Sequence, residues 1–500
     1  MKIYRFTLLL LGFLLVFNSC DSDNDDPIVG PDVPPVEEDS NAPIITSEDG
    51  STIINTNVIE VGNEETDIVF DKITRIMSIG AGKYDEHTLN CVGMAAINLN
   101  GEDMKEQDMS NLVKDATIIN KGTINVHTKD YVAKYEKMIQ DPENKDRKFK
   151  YLRVLAMYGG ANNMVINEGT INVYFDHDPN TKITIYVIAM TGMDGTTVIN
   201  RGHINFYGNG SVSTRMRGAA TFESNMTIIN DNTITADVDI AEDTRMITAG
   251  GSNMNIVNNG LMQASCPGTL FGMTRFGDNN LINNGTIKLY SKCTPDGYDN
   301  IVSVPMRCVA GLYDQIQDDR TGITSPILNR GEIDITLAGV NPADSCRTAG
   351  GIYVMAAAKE LPYEYHDEVR NEGTIKVIDE GGPGNKSGEG YFWTVMPQYP
   401  IYVNVDQWNT TLRDFRKEPL FYASGCILNL NMANICLSKA DGYKEGTEYS
   451  AALGDMIKNG LSPMNSIIGF DNMRFSTADK TLDVIHNKEK KTVALVTKSE

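Results

Sequence analysis

The sequence predicts an all-β protein: a single-stranded parallel β-helix, expected to wind right-handed, closed by a small α/β cap at its C-terminal end. Three observations carry this. One pattern, clearest in Ile118-Ile119-Asn120-Lys121-Gly122-Thr123-Ile124-Asn125-Val126, occurs ten times, headed by Asn55, Asn120, Asn167, Asn200, Asn230, Asn258, Asn283, Asn329, Asn371 and Asn429. Two residues after each head stands Gly or Asn, the types that most readily take a positive φ. Ile fills the fourth place in eight frames, Met262 and Ala433 the other two, and the sixth place is apolar in all ten, from Val61 to Ile435. Each frame reads as a left-handed turn followed by a strand with alternate side chains facing inward.

Frames that return every 25 to 65 residues mark a solenoid, because no unit can bury its apolar face alone. Stacked units put the leading asparagines above one another, where each amide offers a donor and an acceptor to the next. A strand spacing of ~4.8 Å then gives a rod of about 50 Å.

Taken in chain order, residues 1–19 read as an export signal. Lys2 and Arg5 precede the short apolar run Leu8 to Phe17, which is too brief for a membrane-spanning helix. Phe17-Asn18-Ser19-Cys20 resembles the lipobox of bacterial lipoproteins. The resemblance implies cleavage before Cys20 and acylation of that cysteine with fatty acid such as palmitate. Asp21-Ser22-Asp23-Asn24-Asp25-Asp26 resembles the acidic export tag of surface lipoproteins in Gram-negative gut anaerobes, which implies display on the outer face of the outer membrane. A plain solvated linker would carry the same charges. Residues 20–43, with five prolines among acids, read as a disordered tether.

Residues 44–437 form the predicted β-helix. A less regular rung is expected around Ala95-Ala96-Ile97-Asn98-Leu99. The tightest spacing lies between Asn167 and Asn283, and excess residues elsewhere must leave the stack as loops, at 127–150, 312–326, 358–368 and 379–421. A second recurring strand is marked by Met and Gly: Met157-Tyr158-Gly159, Met190-Thr191-Gly192, Met216-Arg217-Gly218, Met246 with Gly250, and Gly272-Met273. Its methionines read as core packing, since flexible aliphatic chains fill a narrow core readily. Residues 438–500 read as the cap that an open strand edge requires. Within it Glu448 to Asn459 is expected as a helix before Gly460, and Thr481–Ile485 with Thr492–Val496 as a hairpin.

The net charge of −22 argues against nucleic acid as a partner. Of eight cysteines, Cys20 is assigned to lipid. The odd remainder cannot all pair within one chain, and no CxxC spacing suggests a metal knuckle. No cofactor is implied.

Two groups of residues are candidates for binding. Thr214-Arg215-Met216, Thr244-Arg245-Met246 and Thr274-Arg275-Phe276 recur at 30-residue intervals. Stacked, Arg215, Arg245 and Arg275 would make a docking strip for an acidic glycan. Pairing with acids such as Glu242 or Asp243 is the plainer reading. After Gly381-Gly382-Pro383-Gly384 come Tyr391, Phe392, Trp393, Tyr399, Tyr402 and Trp408. Such rings on a loop could stack on sugars, or form the core of a small subdomain.

For catalysis, Asp176-His177-Asp178 and Asp237-Val238-Asp239 are the nearest to an acidic cluster, yet both follow strand ends where acids usually face water. The Asn-Thr-Asp and Gly-His-Gly motifs of polygalacturonase-like hydrolases do not occur. The frame over roughly Ile53 to Leu437 resembles β-helical surface adhesins and autotransporter passenger regions of Gram-negative bacteria. That implies a non-enzymatic adhesin or glycan-binding rod, tethered to the membrane by its lipid. A polysaccharide lyase or glycoside hydrolase on a pectin-lyase-like rod is the alternative, and a structural envelope protein the third reading.

Overall fold

A computed structural model describes residues 41–62, 68–71, 86–98, 112–142, 148–181, 183–210, 214–221, 223–239, 243–267, 269–276, 279–292, 306–316, 326–337, 346–356, 369–379, 389–397, 421–423, 426–429, 467–468, 474–476, 481–487 and 492–497. Cys20, the tether and the expected helix from Glu448 to Asn459 lie outside these.

Each coil contributes three strands rather than two, one to each of three sheets. The Ile-Ile-Asn residues that lead the frame form their own strand, as in Thr117–Asn120 and Met164–Asn167, and these stack into an asparagine sheet. The frame's Ile and Val lie on the next strand, as in Thr123–His127 and Thr170–Phe175, which build an alternating sheet with every second side chain buried. The Met-marked strands, such as Ile185–Thr191 and Thr214–Thr221, form the third, the methionine sheet. Neighbouring strands are parallel except Ile68–Asp71 against Glu86–Ala96 and the C-terminal strands from Arg474–Ser476 onward. The expected second strand hides a third because Thr-Ile-Ile-Asn is too short to show an alternation of its own.

The core between the sheets is largely aliphatic, with Phe175 and Phe206 stacked within it. Ile124, Ile171, Ile204 and Ile234 follow one another in register and are fully buried. Met94, Met157 and Met190 share a column on the facing sheet, and Met216, Met246 and Met273 are buried there too. The methionines are core packing. Ala95 and Ala96 close the methionine-sheet strand Glu86–Ala96, so the irregular rung expected there is not a separate unit.

The amide ladder is present. Each Asn Nδ2 donates to Oδ1 of the next, from Asn55 through Asn120, Asn167, Asn200, Asn230, Asn258 and Asn283 to Asn329, at 2.7–2.8 Å. All eight side chains are at most 2% exposed. Asn371 continues the register, but Asn429 does not: Ala423 pairs with Asn371, and Asn429 lies opposite Ile378 in the alternating sheet. Cys426, three residues after Ala423, takes the place opposite Ile375, so this coil is one residue shorter than the frame and carries no amide at the ladder position.

The turns also differ from expectation. Positive φ among the described residues occurs at Gly50, Gly62, Gly195, Gly208 and four non-glycines, none of them a frame residue. Glycine is needed for close approach instead. The carbonyl of Asn120 accepts N–H bonds from both Glu168 (2.7 Å) and Gly169 (2.8 Å), and a Cβ at Gly169 would overlap the carbonyl oxygen of Gly122. The residue after each head forms a surface row, in which Glu168 faces Lys121 at 3.9 Å and Arg201 at 3.7 Å, and Arg201 faces Asp231 at 3.9 Å.

Three expected loops are partly ordered structure. Segment 127–150 carries helix α1 (Lys129–Gln140) and the start of strand Lys148–Tyr158. Residues 312–316 belong to strand Met306–Ile316, and 389–397 to strand Glu389–Pro397. At the far end Thr481–Asn487 pairs antiparallel with Thr492–Thr497, the expected hairpin, and extends the alternating sheet.

Replacing Asn200 by Ala should cost about 2–3 kcal/mol in chemical denaturation, because it strands the Asn167 donor and the Asn230 acceptor in the interior. Asn55→Ala, at the end of the ladder, should cost less. Gly169→Ala should destabilise by about 1–3 kcal/mol through forced separation of two coils.

Candidate functional site

The outward face of the alternating sheet is the polar face of strands whose other side builds the core. Its residues fall into columns because the register is unbroken from coil to coil. In one column Asn172 Nδ2 donates to Asn125 Oδ1 and Asn205 Nδ2 to Asn172 Oδ1, both at 3.0 Å. The column ends on Glu60, which accepts from Asn125 at 2.8 Å. This is a second, half-exposed amide ladder.

The neighbouring column carries rings. His127 stacks on Tyr174 with centroids 4.8 Å apart, and Tyr174 on Tyr207 at 5.7 Å. Tyr207 and, three strands on, Tyr290 are each 42% exposed. Rings presented beside amides and hydroxyls suit the mixed apolar and polar surface of a sugar. This row was legible as aromatic residues in the position after the frame's sixth residue, but ring stacking shows only once register is known.

Beside the rings, Asp176 serves helix α1. The helix's own N-cap, Thr128, makes no side-chain cap bond. Asp176 Oδ1 accepts instead from the N–H of Thr128 (2.9 Å) and of Lys129 (2.8 Å), while Oδ2 meets His127 Nδ1 at 3.0 Å. Partial burial opposes ionisation, but the His127 contact and these N–H donors outweigh it and hold the carboxyl below its ordinary range. His177 is buried against Thr128, with Nδ1 2.7 Å from Oγ1. Burial dominates and pushes its pKa down to about 4, against the pull of Asp176, Asp178 and Glu136. Asp176 and His177 therefore seat a helix rather than merely face water. Asp237 and Asp239 both bind Lys292 Nζ, at 2.7 and 3.2 Å.

The three arginines do not stack. Arg215 lies opposite Asp243, Arg245 opposite Arg217, and Arg275 opposite Ala249. Their 30-residue spacing exceeds the local coil, which places Arg245 28 residues after Arg217. Acids neutralise Arg245 and Arg275. Asp243 bridges Arg217 (2.5 Å) and Arg245 (2.8 Å), and although burial opposes it, the two guanidiniums bring its pKa down to about 2. Arg245 also lies over the rings of Phe271 and Phe276, at 5.3 and 5.0 Å. Arg275 and Asp314 form an ion pair at 2.9 Å with both side chains 0% exposed, out of reach of a surface ligand.

The aromatic segment is divided. Tyr391 and Trp393 sit on strand Glu389–Pro397, opposite Thr348 and Gly350, so this part is a methionine-sheet strand and not a loop. Tyr399, Tyr402 and Trp408 lie outside the described residues.

His177 ties stability to pH. Unfolded, it protonates near its ordinary value of 6.5, whereas folded it resists until about 4. The unfolded state therefore binds the extra proton between these values, and stability falls as pH falls through that window. His177→Gln should flatten the loss measured by denaturation at pH 7 and pH 5.

A family model described as the BigA third pectate lyase-like domain matches residues 81–233, under a third of the chain. No curated protein and no solved structure matches. The matched segment contains helix α1 and the stacked rings from His127 to Tyr207, and its description agrees with the parallel β-helix seen here.

Proposed function

We propose that the chain is a non-enzymatic adhesin or glycan-binding rod, anchored through lipid on Cys20 and displayed at the outer face of the outer membrane. The stacked row His127, Tyr174 and Tyr207 beside the amides of Asn125, Asn172 and Asn205 carries the reading. A repeating ligand meets a surface that repeats every ~4.8 Å along the rod. Aromatic residues are a usual source of binding energy at exposed sites, and their polar tips satisfy hydroxyls. Electrostatics favours a ligand other than a polyanion, given a net charge of −22.

Cleavage of a polysaccharide is the second reading, and the pectate lyase-like description of the matched family favours it. Five of the described acids are committed elsewhere: Asp243 and Asp314 to arginines, Asp237 and Asp239 to Lys292, Asp176 to helix α1. That arrangement supports binding over acid–base chemistry at those positions.

Incubation of the purified protein with an immobilised glycan panel separates the two. Retention with glycan chain length unchanged is the expected result, and shortened chains would establish an enzyme. Tyr174→Ser should lower retention at least fivefold, as a ring is lost from the middle of the row.

A further inference from the structure

The ring column is interrupted. After Tyr207 the register passes through Asp237 and Ser265 before the next ring, Tyr290. Two adjacent strands thus present short side chains between two that present tyrosines, and both tyrosines stand 42% exposed. Three strand steps separate the walls, about 14 Å. One face of Tyr207 is covered by Tyr174, which leaves its other face toward the gap. The floor is polar: Lys292 Nζ holds Asp237 Oδ1 at 2.7 Å, Asp237 is 73% exposed, and Gln263 stands exposed beside Ser265. Burial opposes the charge on Lys292, but its bonds to Asp237 and Asp239 outweigh that and keep it firmly protonated.

We infer that this gap is a trough across the rod that binds a neutral oligosaccharide of two or three units, its sugar faces against Tyr207 and Tyr290 and its hydroxyls on Asp237, Gln263 and Lys292. The inference rests on the binding reading above and names its ligand. The distance of about 14 Å between the two rings is comparable with the length of two or three pyranose units, so a chain laid from wall to wall meets both. Carboxylate and ammonium side by side accept from and donate to neighbouring hydroxyls at once. Asp239 adds a second negative charge against the single Lys292, so a uronate is disfavoured.

Calorimetric titration of the full chain with cello- and chito-oligosaccharides of one to six units tests this, with oligogalacturonates as the acidic series. Affinity should rise up to three units and change less than twofold beyond. Tyr290→Ala and Tyr207→Ala should each weaken the trisaccharide at least tenfold, whereas Met164→Ala, exposed on the asparagine sheet, should bind as the parent does. Circular dichroism of each variant confirms the fold. Parent-like trisaccharide binding by both tyrosine variants would overturn the trough, as would affinity that climbs tenfold with each unit past three, or preference for the oligogalacturonates. If polymer is still retained in any of those cases, the binding rod stands without the trough. If neither polymer nor oligomer binds, both fall.

Discussion

The buried amide of asparagine is the constraint on which the rod depends. Eight such side chains occupy the interior corner of the coil, each both donor and acceptor to its neighbours. A buried amide without partners costs about 1–3 kcal/mol, so the stack is stable only if every coil arrives at the same height and phase. The main chain repeats the lesson. The ladder carbonyls of Asn55, Asn120 and Asn230 each accept two N–H groups from the coil above, and only a residue with no Cβ allows that approach without displacement at Gly122, Gly169 and Gly260. Periodicity in the sequence is thus a record of hydrogen-bond geometry, and the aliphatic core fills the space that this geometry fixes.

Outward surfaces are freer, and they differ from sheet to sheet. On the methionine sheet the outer side chains are largely buried, with Arg217, Asp243 and Arg245 knitted to Tyr186 and Phe271. On the alternating sheet they are half-exposed and polar, with rings in one column and amides in the next. Along the corner row, Lys121, Glu168, Arg201 and Asp231 alternate in sign, and this spares the stack the like-charge repulsion that identical coils would build up. Exposed pairs at these distances add little stability, so their value lies in tolerance of repetition.

Most of the architecture could be read from the chain because its signal is a fixed frame with a buried polar head. Identity of residues does not guarantee identity of position. Asn429 fits the pattern by residue type, yet the register sets Ala423 opposite Asn371 and Asn429 opposite Ile378. The arginines recur at a constant interval, yet coil length varies and register scatters them. The frame glycines suggest a left-handed turn, but what requires them is a carbonyl one coil away. The ring row is less legible: His127, Tyr174 and Tyr207 share a frame position, but their stacking joins partners 47 and 33 residues apart and shows only in the register.

The first N–H groups of helix α1 are held by a carboxylate that enters the chain 47 residues after Lys129, on the strand's exit from the following coil. A twelve-residue helix with that terminus unmet is a poor folder by itself. Its cap therefore belongs to the next coil, so the insertion is fastened by the layer laid over it and comes loose whenever that layer does.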